Sequence, residues 1–173
     1  MTRLHGSLVE LDGIGALLLG PSGIGKSECA LELVRRGHRL VADDVVEIQV
    51  NASAEAVGRA HESVGHHIEI RGLGILSVPD LFGRSSVLAS CRIELACRLV
   101  RDAPDYDRIG IERPLYDLGD GVAVASVTLP AHPAGTLATL VEVAARDHEL
   151  RLGGLNAAAR FDADIRRAMG ERR

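Results

Sequence analysis

Residues 4–11 alternate apolar and polar side chains and pass through Asp12-Gly13, a favoured tight-turn pair, into the unbroken apolar run 14–19. That pattern predicts a β-hairpin at the start of the chain. Over residues 26–36 the period changes: Cys29, Ala30, Leu33 and Val34 recur at helical spacing, and Gly37 stands where a C-terminal cap belongs. A helix is predicted there. Residues 38–42 return to a short strand ending in Asp43-Asp44, and residues 45–50 make another before a turn region at 51–54. Strand, loop, helix, strand is the α/β order.

Further along the signal weakens. Residues 65–83 mix His66, His67, Glu69 and Arg71 with glycines and Pro79, too broken for one regular element, and are expected to form a shaped loop between short strands. Residues 85–100 alternate over a long span, with Val87, Ala89, Cys91, Ile93, Leu95 and Cys97 on one side, as a half-buried strand does. The polar stretch 102–120 carries both tyrosines and two prolines and reads as a mobile loop with a short strand. Residues 122–129 predict a strand, 135–151 a helix after Pro133, and 156–169 a last amphipathic helix. With no repeat and no linker, residues 1–173 are read as one domain, a length that buries a real core.

Composition removes several classes of function. A net charge of -4 with 2% aromatic residues lacks the basic face and stacking rings of a nucleic-acid surface. No apolar stretch approaches the ~20 residues of a membrane span, and the first residues lack a signal-peptide core. The expectation is a cytoplasmic protein with no nucleic acid and no membrane as partner. Cys29, Cys91 and Cys97 are odd in number, lack metal-type spacing and lie in apolar runs, so they are read as reduced core thiols.

The candidate chemistry sits between the first hairpin and the first helix. Gly20, Pro21, Ser22, Gly23, Ile24, Gly25, Lys26 and Ser27 satisfy G-x-x-x-x-G-K-[ST] at every specified position, with a strand before and a helix after. Glycines let backbone N–H groups turn inward around phosphates, and the positive end of the helix dipole points at them. In that reading Lys26 reaches the β- and γ-phosphates and Ser27 ligates Mg²⁺. Asp43 and Asp44 come next: if their strand runs parallel to the P-loop strand, its carboxyl end lies near the phosphates. One acid then helps hold magnesium and the other takes a proton from an incoming hydroxyl. Glu69 beside His67 raises H-x-E zinc chemistry, but the P-C-x-x-C partner is missing.

The chain resembles the HPr kinase/phosphorylases, in their C-terminal catalytic domain. The resemblance rests on LHGSLVELDGIGALLLGPSGIGKSECALELVRRGHRLVADD, IEIRGLGILSVPDLFG, YDRIG and VEVAARDHELRLGGLNAAARF. It implies an α/β fold, a P-loop-containing nucleotide-binding domain of the HPr kinase/PEP carboxykinase type with a mixed central sheet and flanking helices. It implies a bacterial, cytoplasmic enzyme that uses ATP and Mg²⁺ to phosphorylate a serine on HPr or an HPr-like phosphocarrier protein, and catalytic domains that assemble as hexamers. It also implies a short form lacking the family's N-terminal domain. By the same resemblance Asp44 is the acid/base, Lys26 the phosphate-binding lysine, and Ser27 and Glu69 the magnesium ligands. His5 matches an active-site histidine, Arg108 of YDRIG an active-site arginine, and residues 68–77 a signature loop used in both directions of catalysis. Many members also reverse the modification with inorganic phosphate. Here the segment PAHPAGT, residues 130–136, keeps both prolines of the family's dephosphorylation segment but not its arginine and asparagine. Weak or absent reversal is therefore expected, because lysine or histidine does not reproduce a bidentate guanidinium. Two other readings of the P-loop stay open: a kinase of a small molecule, and a nucleotide-dependent binding module without phosphotransfer.

Overall fold

The computed structural model describes residues 1–101, 107, 109–131 and 137–170. Its strands β2 (Ser7–Leu11) and β3 (Ile14–Leu19) form the expected antiparallel hairpin, with Leu11 opposite Ile14. Asp12 and Gly13 both take positive φ, 49° and 99°, as a two-residue turn matched to strand twist requires. Helix α1 (Lys26–Arg35) follows β3, and β4 (Arg39–Ala42) pairs antiparallel with β2. On the other side of β3, β10 (Leu95–Val100) and β12 (Val122–Pro130) join in parallel, and β11 (Leu115–Gly119) closes the edge antiparallel to β12. The result is a mixed six-stranded sheet in the order β11-β12-β10-β3-β2-β4.

All six residues of β3 are buried because the sheet is covered on both faces. Ile14, Ala16 and Leu18 pack with Cys29, Ala30 and Leu33 of α1 and with Val141 and Ala145 of α3 (Leu137–Leu152). Leu17 and Leu19 face the other way, into a cluster with Val46, Ile48 and Ala56. Those side chains belong to a second, antiparallel sheet of β1 (Thr2–His5), β5 (Val45–Val50), β6 (Ala56–Ala60) and β9 (Ser90–Arg92), in the order β1-β5-β6-β9. Helices thus cover one face of the central sheet and a sheet covers the other. Each fully buried leucine here, such as Leu17, Leu18 or Leu33, contributes about 1.5–3 kcal/mol.

Several sequence expectations change. The alternating stretch 85–100 is not one strand: a 3₁₀ turn at Arg84–Ser86 precedes β9 and β10, which lie in different sheets. The chain crosses between them where Ile93 N donates to Ala56 O (2.8 Å) and Glu94 N to Gly15 O (2.9 Å). Cys91 and Ile93 therefore face the core between the sheets, whereas Leu95 and Cys97 face the helices. A period of two continues through such a crossing and does not reveal it. Residues 65–83 are more regular than expected, forming an antiparallel hairpin of β7 (His67–Ile70) and β8 (Gly74–Ser77) followed by the short helix α2 (Val78–Phe82). The stretch 4–11 divides at Gly6, with β1 pairing to β5 and β2 to β3. Strand β6, with the weak pattern AVGRA, gave no signal in the sequence. Of the stretch 102–120, residues 102–106 and 108 lie outside the described residues.

The last helix, α4 (Ala157–Gly170), matches its expected position but buries no residue. All three cysteines are free, Cys29 and Cys97 buried and Cys91 half-buried, and burial pushes each thiol up to about 12. They are inert fillers of the core. Among the described residues no helix is long and apolar enough to cross a membrane.

Candidate active site

Strand β3 ends at Leu19 and the P-loop carries the chain into α1. Gly25 caps that helix with φ 102° and no side-chain bond to the first turn. A side chain in this left-handed conformation costs roughly 1–2 kcal/mol, so glycine keeps the turn open and leaves amide donors at the helix end. Lys26 is 7% exposed, and its ammonium donates to Gly20 O (2.9 Å) and Pro21 O (3.2 Å). It also lies 3.3 Å from His5 Nε2. An ammonium only donates, so His5 Nε2 is the acceptor and the ring proton sits on Nδ1. That nitrogen is 3.1 Å from Asp44 Oδ1.

Both β3 and β4 run antiparallel to β2 between them, so β3 and β4 point the same way. The carboxyl end of β4 therefore opens at the edge that carries the P-loop. Asp43, 4% exposed, turns inward and receives Ser7 Oγ on Oδ1 at 2.5 Å. Ser27 Oγ donates to its Oδ2 at 2.9 Å and lies 3.2 Å from Oδ1. Burial raises the Asp43 carboxyl above the usual range, against the opposing pull of the Ser7 and Ser27 bonds. Asp44 adopts φ 66°, in a tight turn where Val45 N donates to Asp43 O (2.8 Å). This reversal sends its side chain outward, 71% exposed, to His5.

The β7–β8 hairpin supplies the third wall. His67, Glu69, Arg71 and Ile75 line the same cleft of about 320 Å³ as His5, Lys26, Ser27, Asp43 and Asp44. Arg71 lies so close over the P-loop that a β-carbon on Gly23 would come within 2.8 Å of its Nη2. Ser27, Asp43 and Glu69 offer hard oxygen donors. Magnesium takes one or two carboxylates together with phosphate oxygens, so these residues fit it.

Of the residues singled out in the sequence, the structure brings His5, Lys26, Ser27, Asp43, Asp44 and Glu69 into one cleft, with Ser22, Gly23 and Gly25 of the P-loop. Arg108 lies outside the described residues, as do residues 132–136 of the segment after Pro130. Sequence reasoning missed Ser7, a hydroxyl inside an apolar run. It also missed Arg101, whose Nη2 donates to Gly23 O at 3.5 Å. The signal for Arg101 was its place directly after β10, which pairs in parallel with the P-loop strand and ends at the same edge.

Residues 1–165 match the family model described as the HPr Serine kinase C-terminal domain. The chain belongs to that family. Among its relatives, the HPr kinase/phosphorylase of Geobacter sulfurreducens is 46% identical over 162 residues, 92% of this chain and 50% of the relative. The HPr kinase/phosphorylase of Bacillus subtilis is 46% identical over 162 residues, again 92% of this chain and 52% of the relative. The chain thus spans about half the length of the curated relatives it matches. Among solved structures, the HPr(Ser) kinase/phosphatase from Coxiella burnetii superposes with a TM-score of 0.81 at 30% identity, covering 93% of this chain and 98% of that one. The α/β fold, with its mixed sheet and P-loop, is therefore the fold of the family.

Proposed function

We propose that this HPr kinase C-terminal domain is an ATP- and Mg²⁺-dependent protein-serine kinase acting on HPr or an HPr-like phosphocarrier. The observation that carries the reading is the shared cleft, in which the P-loop with Lys26 and the outward carboxylate of Asp44 face a common space. Phosphoryl transfer needs positioning and charge neutralisation more than covalent chemistry. Lys26 and the amides at the start of α1 supply the cradle for phosphate oxygens. Magnesium, held by Ser27, Asp43 and Glu69, would neutralise phosphate charge. Asp44 accepts the proton of the incoming serine hydroxyl, and His5 Nδ1–H holds that carboxylate in place. The exposure of Asp44 suits an acceptor delivered on another protein, which a closed small-molecule pocket does not require. The names of the relatives supply HPr as the acceptor class. Arg108 is assigned to the transferring phosphoryl group by resemblance alone.

Reversal is proposed to be weak or absent, because residues 130–136 contain no arginine to clamp inorganic phosphate. We further read residues 1–173 as one catalytic unit that associates with copies of itself, as hexamers by resemblance.

One experiment tests the assignment. Mixed with ATP, Mg²⁺ and the HPr-like protein of its own organism, the chain is expected to place one phosphate on an acceptor serine, located by mass. Asp44→Asn should slow transfer by roughly 10²–10⁴-fold while nucleotide affinity changes less than about twofold. Supplying the phosphorylated acceptor with inorganic phosphate should release pyrophosphate much more slowly than the forward rate. No transfer by the parent chain would leave a nucleotide-binding module, and equal rates in the two directions would overturn the claim of weak reversal.

A further inference from the structure

Ser7 opens β2, and its five residues Ser7–Leu11 are all buried. The Ser7 side chain is 0% exposed. A hydroxyl buried this deeply is costly unless bonded, and here its bond goes to a charged group. In the β2–β4 pairing Leu8 stands opposite Ala42, so the same register carried one step further sets Ser7 opposite Asp43. The hydroxyl donates to Asp43 Oδ1 at 2.5 Å, across 36 positions of chain.

Asp43 thus has two hydroxyl donors with different duties. Ser27 Oγ comes from the P-loop helix and favours Oδ2, 2.9 Å against 3.2 Å to Oδ1. Ser7 Oγ comes from the sheet and takes Oδ1. A hydroxyl has one proton to give. With that proton committed to Asp43, the lone pairs of Ser27 are turned toward the cleft shared with Lys26 and Glu69. The orientation of the Ser27 oxygen therefore depends on the Asp43 carboxylate staying in one rotamer, which Ser7 on Oδ1 holds together with the backbone N–H of Asp44.

We propose that Ser7 is a positioning residue for magnesium: it fixes the Asp43 carboxylate so that Ser27 presents its oxygen to the metal. The inference rests on the magnesium-dependent reading of this cleft. Ser7 touches neither nucleotide nor metal, so its effect is selective. Groups one bond removed from a metal ligand commonly change metal affinity about 10–100-fold. Binding of a nucleotide without metal uses Lys26 and the helix amides and is left intact.

The probe is Mn²⁺ titrated into the chain with ADP, followed by electron paramagnetic resonance, beside ADP affinity measured in EDTA. Ser7→Ala is expected to weaken Mn²⁺ binding about 10–100-fold and to shift the Mg²⁺ concentration for half-maximal transfer by a similar factor. ADP affinity in EDTA should change less than about twofold. Ser7→Thr, which keeps the hydroxyl, should restore Mn²⁺ binding. Should the alanine variant fail to fold, Ser7→Cys retains a weaker donor of similar shape and is expected to show a partial loss. Unchanged Mn²⁺ affinity in folded Ser7→Ala or Ser7→Cys would overturn the proposal. So would an equal loss of metal-free ADP binding, which would make Ser7 a support of the P-loop as a whole. A parent chain that binds ADP but no Mn²⁺ would instead overturn the magnesium reading on which the inference stands.

Discussion

Asp43 and Asp44 are adjacent in the chain, but the positive φ of Asp44 turns their side chains apart. One is bonded to Ser7 and Ser27 in the interior, the other to His5 at the open side of the cleft. The sequence marked the pair and left the division of labour between them to family resemblance. It could not show the division, because the burial that separates them is made by residues far away in the chain. A stability prediction follows from that burial. Burial is the largest influence on Asp43 and raises its carboxyl. The folded chain then holds its proton more tightly than the unfolded chain, so stability falls as pH rises from the ordinary aspartate range through the raised value. The deficit is complete at pH values above the raised one. Asp43→Asn is expected to raise the melting temperature of the metal-free chain by a few degrees while removing its Mg²⁺ response. A lowered melting temperature at pH 7 would show that the bonds to Ser7 and Ser27 outweigh the cost of burying the charge.

The hairpin β2–β3 and helix α1 were legible because their signals are local: a turn pair, a helical period, a glycine after the last turn. Strands β6, β9 and β10 were not, because their boundaries are set by which sheet they join. Residues 110–113 show how a helix can hold a loop in place. Asp147 on α3 receives Arg113 Nη2 (2.5 Å) and Arg151 Nε (2.6 Å). Arg151 also donates to Gly110 O and Ile111 O, at 2.8 and 2.9 Å. Burial by itself would raise the Asp147 carboxyl, but the two arginines outweigh it and lower the value. A lowered carboxyl contributes stability that is present above the unfolded value, ~3.9, and lost as pH falls through the folded one. Asp147→Asn should therefore lower the melting temperature at pH 7 and flatten its fall between about pH 5 and 3. An acid slope identical to that of the parent would show that the triad does not couple to folding.

At the scale of the whole molecule, helix α4 is the long helix that buries no residue among the described ones. Phe161, Ile165 and Met169 recur every fourth residue along α4 and are 63%, 42% and 69% exposed. They form an apolar stripe of the kind that marks a contact surface. If the chain self-associates as proposed, a second copy is the occupant expected here. Phe161→Glu with Ile165→Glu is expected to lower the mass in solution measured by light scattering, while the folded signal and melting temperature change little, because α4 buries no residue. An unchanged mass would remove α4 from the contact.

The glycine-rich loop, the first hairpin, the helix after it and the family were all readable from the order of residues, because each rests on local runs of sequence. Placing a second sheet against the central one, splitting the alternating stretch 85–100 between them, and setting Ser7 against Asp43 depend on contacts between residues tens of positions apart. Such contacts leave no period in the sequence: burying both faces of β3 and returning β4 alongside β2 is a property of the packed whole, and it alone determines that Asp43 is sealed in and Asp44 is exposed.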